Sequence, residues 1–416
     1  MMQRAYKTQL NPTQAQQRAF EAQSDTVRWV WNWALAQRNE FYKYTGKHLS
    51  GRELIKQFRA GKKTGRWPWL KPANSRAEES ALDAQDRAFD RFWMMCRGEL
   101  PKPKLKRPRK DGKPAGYPSF KRRRDGVVAF AFWGLKPEHV RRDAIRLQGI
   151  GWVRLQEKGY LPTDGVKINR ATVSERTGRW YVSLQVEEAD RGDIATGEPI
   201  GVDAGITTLA TVSDGREYQN ARALRDALRR LKRLQQKMAR QPRPAKGDPN
   251  SGRRQRTIDA IGNLHKRIAD LRSTALHEAS AGITGRNRPT AERPEVVGIE
   301  TLNVKGMMQN GRLALALSDA AMSELLRQVT YKAQWSGAEI ATVSQWEPST
   351  KRCSRCGYIV QGMTLSDRVF VCPNCGYTAP RDLNAARNLQ QAAEEYRRLK
   401  TRVEDETEVG AAGPVV

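Results

Sequence analysis

Ile200-Gly201-Val202-Asp203-Ala204-Gly205 runs along an apolar strand, reaches an acid and enters the turn of a hairpin. Two later stretches repeat that logic. Val296-Val297-Gly298-Ile299-Glu300 is again an apolar strand ending on a carboxylate, and Asp382 opens the helix-starting segment Asp382-Leu383-Asn384-Ala385-Ala386-Arg387-Asn388-Leu389. Singly, each acid has an ordinary explanation. Asp203 suits a turn, Glu300 a surface strand end, and Asp382 an N-cap accepting the helix's free N–H groups.

Together, in the order strand–Asp, strand–Glu, helix–Asp, they form the signature of an RNase H-like nuclease core. Two Mg²⁺ or Mn²⁺ ions about 3.5–4 Å apart need hard oxygen ligands, which converging carboxylates supply while phosphate oxygens complete the shells. One ion prepares the attacking water and the other stabilises the leaving oxygen. Without metal the three acids would repel and one pKa would rise, so the pattern predicts a metal-dependent enzyme. No Ser-His-Asp order and no phosphate-cradling Gly loop is present. The four histidines (His48, His139, His265, His277) are scattered and none lies in an HNH-like pattern.

A second motif sits just before Asp382. Cys353-Ser-Arg-Cys356-Gly and Cys372-Pro-Asn-Cys375-Gly are separated by fifteen residues, the C-x2-C-x15-C-x2-C spacing of a structural zinc ribbon. Each CxxC is a tight knuckle aiming two thiolates at one ion, and Gly357 and Gly376 permit the turn. Four thiolates close a tetrahedral shell, so this Zn²⁺ is expected to hold structure, not to catalyse. Cys96, inside Trp93-Met94-Met95-Cys96, reads as a small core residue.

Charge points to the partner. Lys and Arg number 74 against 45 acids, a net +29. An enzyme of small molecules rarely tolerates such self-repulsion, whereas a polyanion neutralises it. Residues 101–124 carry eleven Lys/Arg, one acid and five prolines, which reads as an extended phosphate-contacting arm; Lys121, Arg122, Arg123 and Arg124 are its candidate contacts. No apolar run approaches the roughly 20 residues that span a bilayer. The first residues lack an apolar signal core and the cysteines suit a reducing compartment, so the expected place is the prokaryotic cytoplasm or nucleoid.

Along the chain, 3–10 reads as a strand, and a helix follows with Thr13 as its N-cap. The first hundred residues are mostly helical, and 126–188 are strands with a hairpin turn at Glu175–Gly178. Two long helices, about 221–240 and 254–280, form an antiparallel hairpin around a Pro- and Gly-containing turn. Residues 403–416 read as a disordered tail.

With these motifs in view, the chain resembles the TnpB family, transposon-encoded RNA-guided nucleases related to compact type V CRISPR effectors. The resemblance is carried by Ala5-Tyr6-Lys7 with Leu10-Asn11-Pro12-Thr13, Arg28-Trp29-Val30-Trp31-Asn32-Trp33-Ala34-Leu35, Gly178-Arg179-Trp180-Tyr181-Val182-Ser183, Gly201-Val202-Asp203-Ala204-Gly205, Ile299-Glu300-Thr301-Leu302-Asn303-Val304, Cys353-Ser354-Arg355-Cys356-Gly357 and Arg381-Asp382-Leu383-Asn384-Ala385-Ala386. It implies an α+β multidomain protein. A wedge-like β-barrel would comprise 1–11 and 101–195, with a helical recognition lobe at 12–100. A RuvC nuclease domain would span 196–402, carrying the helical hairpin at 221–280 and a zinc ribbon at about 348–378. It further implies a guide RNA, double-stranded target DNA beside a short adjacent motif, and cleavage of both strands in turn at Asp203, Glu300 and Asp382. One departure stands out: Pro380 precedes Arg381-Asp382 where relatives commonly carry an acid. The competing expectation is an RNA-guided DNA-binding protein, repressor-like or CRISPR-associated, with little cleavage. Nuclease-dead relatives usually lose one or more of the acids, and here all three remain.

Overall fold

Thr13 stops one element and starts the next. Its Oγ1 accepts from the Gln16 backbone at 3.3 Å while its own N–H donates to the Gln16 side chain at 3.0 Å, the reciprocal capping box that nucleates a helix. Before it lies β1 (Met2–Asn11), and after it α1 (Gln14–Thr45). The computed structural model describes residues 2–70, 75–103, 109, 111–122, 126–189, 194–245, 248–364 and 367–411, with side chains to 403. The chain divides into two units, Met1–Asp190 and Arg191–Val416.

In the first unit, α1 is followed by α2 (Gly51–Lys63), α3 (Ser75–Cys96), β2 (Phe130–Phe132), β3 (Ala144–Leu147), β4 (Gly151–Leu155), β5 (Val166–Arg176) and β6 (Arg179–Glu188). The six strands make one sheet in the order β2-β5-β6-β1-β4-β3. Between β5 and β6, Thr177 (φ 53°) and Gly178 (φ 77°) form a two-residue turn with both central φ values positive, the geometry that matches strand twist. Among the described residues no ladder joins the two end strands, β2 and β3. Phe20, Val27 and Val30 of α1, Leu54 and Phe58 of α2 and Leu82 of α3 share one core with Phe130, Val173, Val182 and Leu184 of the sheet. The helical stretch thus packs on the strands through a shared core.

The second unit is built on β7 (Ile200–Ala204), β8 (Thr208–Val212), β9 (Glu217–Gln219), β10 (Val296–Glu300) and β11 (Glu339–Val343). Their order is β11-β10-β7-β8-β9; β7, β8 and β9 run antiparallel, and β10 lies parallel to both β7 and β11. Around them are α4 (Ala223–Ala239), α5 (Gly252–Ile283), α6 (Val304–Met307), α7 (Ala314–Ala320), α8 (Met322–Trp335) and α9 (Arg381–Ala411). A small hairpin, β12 (Val369–Val371) with β13 (Thr378–Pro380), leads directly into α9. Side chains alternate across a strand. Ile200, Val202, Val297 and Ile299 accordingly bury one face against Leu276, Ile283, Leu325 and Val329 of α5 and α8. The residues between them, Gly201, Asp203, Gly298 and Glu300, face the other side, where α9 lies.

Two expectations need correcting. Cys96 is exposed at the end of α3 and is not a core residue. The last helix does not stop near 402 but continues to Ala411, so 403–411 is helical; residues 412–416 lie outside the described set. No described helix is long and apolar enough to cross a membrane.

Candidate metal and nuclease sites

Gly201 and Gly298 are direct register partners on the parallel strands β7 and β10. Two adjacent residues without side chains leave a trough in the sheet, and α9 lies in it. A methyl group on Gly201 would stand 1.9 Å from the Ala386 carbonyl oxygen and 2.3 Å from the Gln390 nitrogen. On Gly298 it would stand 2.2 Å from the Leu389 carbonyl oxygen. Only glycine admits the helix this closely. Each glycine sits two residues before an acid, so trough and acids share one face. Asp203 and Glu300 thus stand at the carboxyl ends of adjacent parallel strands, a common place for ligands in such sheets. Asp382 enters from the first turn of α9, inside the helix and not at its cap.

The three carboxylates do not bring their oxygens as close together as the four cysteine thiols, but electrostatics registers Asp382 and Glu300 as neighbours of Asp203. Burial pushes the Asp203 carboxyl up to about 7, with further upward pressure from the negative charges of Asp382 and Glu300 and relief from Arg381. Burial also raises Glu300. Arg381 donates to one oxygen of Asp382 through Nε at 3.0 Å and Nη2 at 2.9 Å. A carboxylate cluster this costly to ionise takes a cation readily, and its all-oxygen donors are those of Mg²⁺ and Mn²⁺.

The four cysteines are gathered more tightly. Their Sγ atoms all lie within 4.8 Å of one another, with Cys353–Cys375 at 3.7 Å and Cys356–Cys372 at 3.6 Å. Tetrahedral corners with Zn–S bonds of about 2.3 Å would be about 3.8 Å apart, so the thiols fit a zinc-sized ion. Two matching knuckles produce the arrangement. Gly357 (φ 77°) donates to the Cys353 carbonyl at 2.9 Å, and Gly376 (φ 69°) to that of Cys372 at 3.0 Å. Among the described residues no other group of three or more His, Cys, Asp or Glu brings ligand atoms together this way.

Side chains of α9 bind the first knuckle to the nuclease face. The Asn384 side chain accepts from the Ser354 N–H at 3.0 Å and donates to the Arg352 carbonyl at 2.8 Å. Asn388 donates to the carbonyls of Ser349 at 2.6 Å and Arg352 at 2.7 Å. Both asparagines are buried, two and six residues after Asp382. The repeated Gly-x-acid spacing and the asparagines in Asn384-Ala385-Ala386-Arg387-Asn388 were the available sequence signals for these supports.

Other titratable groups serve the fold. Buried Asp319 accepts from the N–H groups of Leu224 and Arg225, both at 3.0 Å, and from Arg272 at 3.1 Å, so it caps α4. Of the basic arm, Lys121 lies 3.9 Å over the Trp31 ring, its pKa lowered by burial and then by Arg28; its backbone bonds to Asn32. Arg122 is exposed, and Arg123 and Arg124 lie outside the described residues.

Family comparisons cover both units. Residues 182–311 match a family described as a probable transposase, 323–389 a Cas12f1-like TNB domain, and 1–47 a helix-turn-helix domain. Here that last segment is a strand followed by one continuous helix. A Streptomyces pristinaespiralis protein described as a candidate RNA-guided DNA endonuclease is 31% identical over 94% of this chain and 89% of its own length. InsQ of Escherichia coli K12, with the same description, is 29% identical over 93% of this chain and 92% of its own. Among solved structures, a Cas12f1 complex matches in fold over 91% of this chain and 83% of its own, with a TM-score of 0.50 and 14% identity. Similarity extending over nearly the whole chain, on top of the shared motifs, makes this protein a member of the TnpB family.

Proposed function

We propose that the protein is an RNA-guided, metal-dependent DNA endonuclease that hydrolyses both strands of a target beside a short adjacent motif. The observation that carries this reading is the placement of half-buried Asp203 and Glu300 at the ends of paired parallel strands beside the first turn of α9, where the charges of Asp382 and Glu300 add to the burial that raises Asp203. Asp203, Glu300 and Asp382 would hold Mg²⁺ or Mn²⁺, which when bound would activate water and steady the leaving oxygen. Arg381 would orient Asp382 through its two hydrogen bonds to one carboxylate oxygen. The sheet order supports a RuvC-type, RNase H-like assignment, with three antiparallel strands followed by two parallel ones. Cys353, Cys356, Cys372 and Cys375 would hold structural zinc. The six-stranded sheet of the first unit would serve as the wedge, closing toward a barrel, and α1–α3 as the recognition lobe. Guide RNA and double-stranded target DNA would be the partners, and the cytoplasm or nucleoid the place of action.

A second reading, an RNA-guided binder without efficient cleavage, draws on one observation: Asp382 is engaged by Arg381. Purifying the protein with its co-expressed RNA, sequencing that RNA and assaying plasmids bearing its complement separates the two. The endonuclease cuts with Mg²⁺, and fails with EDTA or as Asp203→Ala. A protein that retains the target yet never nicks it with any divalent ion is the binder.

A further inference from the structure

Between Arg229 and Thr257, eleven residues are Lys or Arg and one, Asp248, is acidic. This stretch is the tip of the α4–α5 hairpin. The hairpin has its own apolar seam, formed by Leu231 and Leu234 of α4 with Ile261, Leu264 and Ile268 of α5. Toward the base two of its cations are paired, Lys266 with Asp270 and Arg272 with Asp319. At the tip, Arg233, Lys237, Arg240 and Arg253 are exposed, and none forms an ion pair among the described residues.

Those four do not simply decorate a convex helix. Together with Gln236 and Gln241 they line a concavity of about 400 Å³ between the two helices. Arg233, Lys237 and Arg240 recur at helical spacing on one face of α4, and Arg253 faces them from the first turn of α5. The floor is fixed. Arg254 donates to the carbonyls of Met238 at 2.9 Å and Gln241 at 3.0 Å, and the Gln241 side chain donates to Thr257 Oγ1 at 3.0 Å. Four like charges held around a rigid hollow repel one another, and a solvated face has no need of that arrangement. A chain of phosphates relieves the repulsion and releases counterions as it binds.

We infer that the tip of the α4–α5 hairpin is a binding site for the sugar–phosphate backbone of a nucleic acid, with Arg233, Lys237, Arg240 and Arg253 as its phosphate contacts. The inference rests on the proposed nucleic-acid function and adds a place that the basic arm at 101–124 does not account for. Guide RNA and target DNA share the recognised chemistry, and the test distinguishes them.

The quadruple variant R233Q/K237Q/R240Q/R253Q leaves Arg254 and the apolar seam intact, so its melting temperature and zinc content should match wild type. Binding of the full-length protein to a labelled random-sequence RNA strand and to a random-sequence DNA duplex is measured across a salt series. Each phosphate contact contributes ~0.9 to the log–log salt slope on duplex DNA and ~0.7 on a single strand, so losing four lowers it by about 3. A drop on RNA alone assigns the site to the guide, a drop on the duplex alone to the target, and either supports the inference. Unchanged affinity and slope on both probes, with wild type binding normally, would make the tip a solvated face and overturn it. Wild type that binds neither probe would overturn the proposed function as well.

Discussion

The cysteine site and the acid site lie at opposite ends of one short stretch, from the first knuckle to the first turn of α9, yet they are assembled differently. The four thiols come from two local turns with the same hydrogen bonds, and they stand at ligand distance from one another. The three carboxylates come from two strands and a helix across 179 residues of chain, if Asp203 and Asp382 are taken as the ends. They share a half-buried face, on which burial pushes the Asp203 carboxyl up to about 7 and Arg381 pairs with Asp382. One site is organised to be closed. The other, under the proposed function, would be completed by a cation and a phosphate.

Breaking the closed site should have the largest effect. Cys372→Ser is expected to lose zinc and to destabilise the second unit by several kcal/mol, a fraction of the ~10–16 kcal/mol apparent for isolated zinc fingers. Zinc content and thermal melting, measured together, check this.

Neutralising the open site should do the reverse to stability. The folded state holds the Asp203 proton to about 7, whereas the unfolded chain releases it in the ordinary carboxylate range. Between those pH values the folded state binds more protons, so metal-free stability falls as pH rises through the window. Asp203→Asn removes that loss. Without divalent metal at neutral pH it should unfold at higher denaturant than wild type, by up to about 4 kcal/mol, and the gain should vanish near pH 4. Its cleavage rate should fall by at least about 10²-fold, since a metal ligand supplies several kcal/mol.

Smaller changes sharpen the contrast. Gly201→Ala would place a methyl 1.9 Å from the Ala386 carbonyl, so α9 must lift and Asp382 moves with it. A loss of about 3 kcal/mol is expected on denaturation, together with slowed cleavage. Asn384→Ala leaves the Ser354 N–H without its partner, while the Arg352 carbonyl still accepts from Asn388, so about 1 kcal/mol should be lost, with zinc stoichiometry unchanged. Gly357→Ala meets no atom within 4 Å and suffers only from its φ of 77°, so about 1 kcal/mol should be lost.

The same contrast explains what could be read without a structure. The zinc ligands were legible because a knuckle is local: residue spacing alone encodes its geometry. The three acids were legible as a pattern, since apolar strands ending on carboxylates stand out. The means of their convergence was not, because the Gly201–Gly298 trough depends on strand register across nearly a hundred residues. The surroundings of Lys121 were hidden for a related reason. Its charge suggested phosphate, while the aromatic ring that occupies it belongs to Trp31, ninety positions away in the chain. The helical character of the N-terminal stretch was legible from its periodicity, whereas its shared core with the sheet is a tertiary fact. Helix α9 continued past 402 because nothing in Thr401–Glu408 breaks a helix, although terminal residues commonly read as disordered.

Manganese bound by the guide- and target-loaded complex, followed by electron paramagnetic resonance, probes the acid site most directly. Wild type should take up Mn²⁺ near neutral pH with release of a proton and begin to cut, while Asp203→Ala should neither bind it there nor cut. If the variant binds Mn²⁺ and cleaves as wild type does, the three carboxylates are not the metal centre.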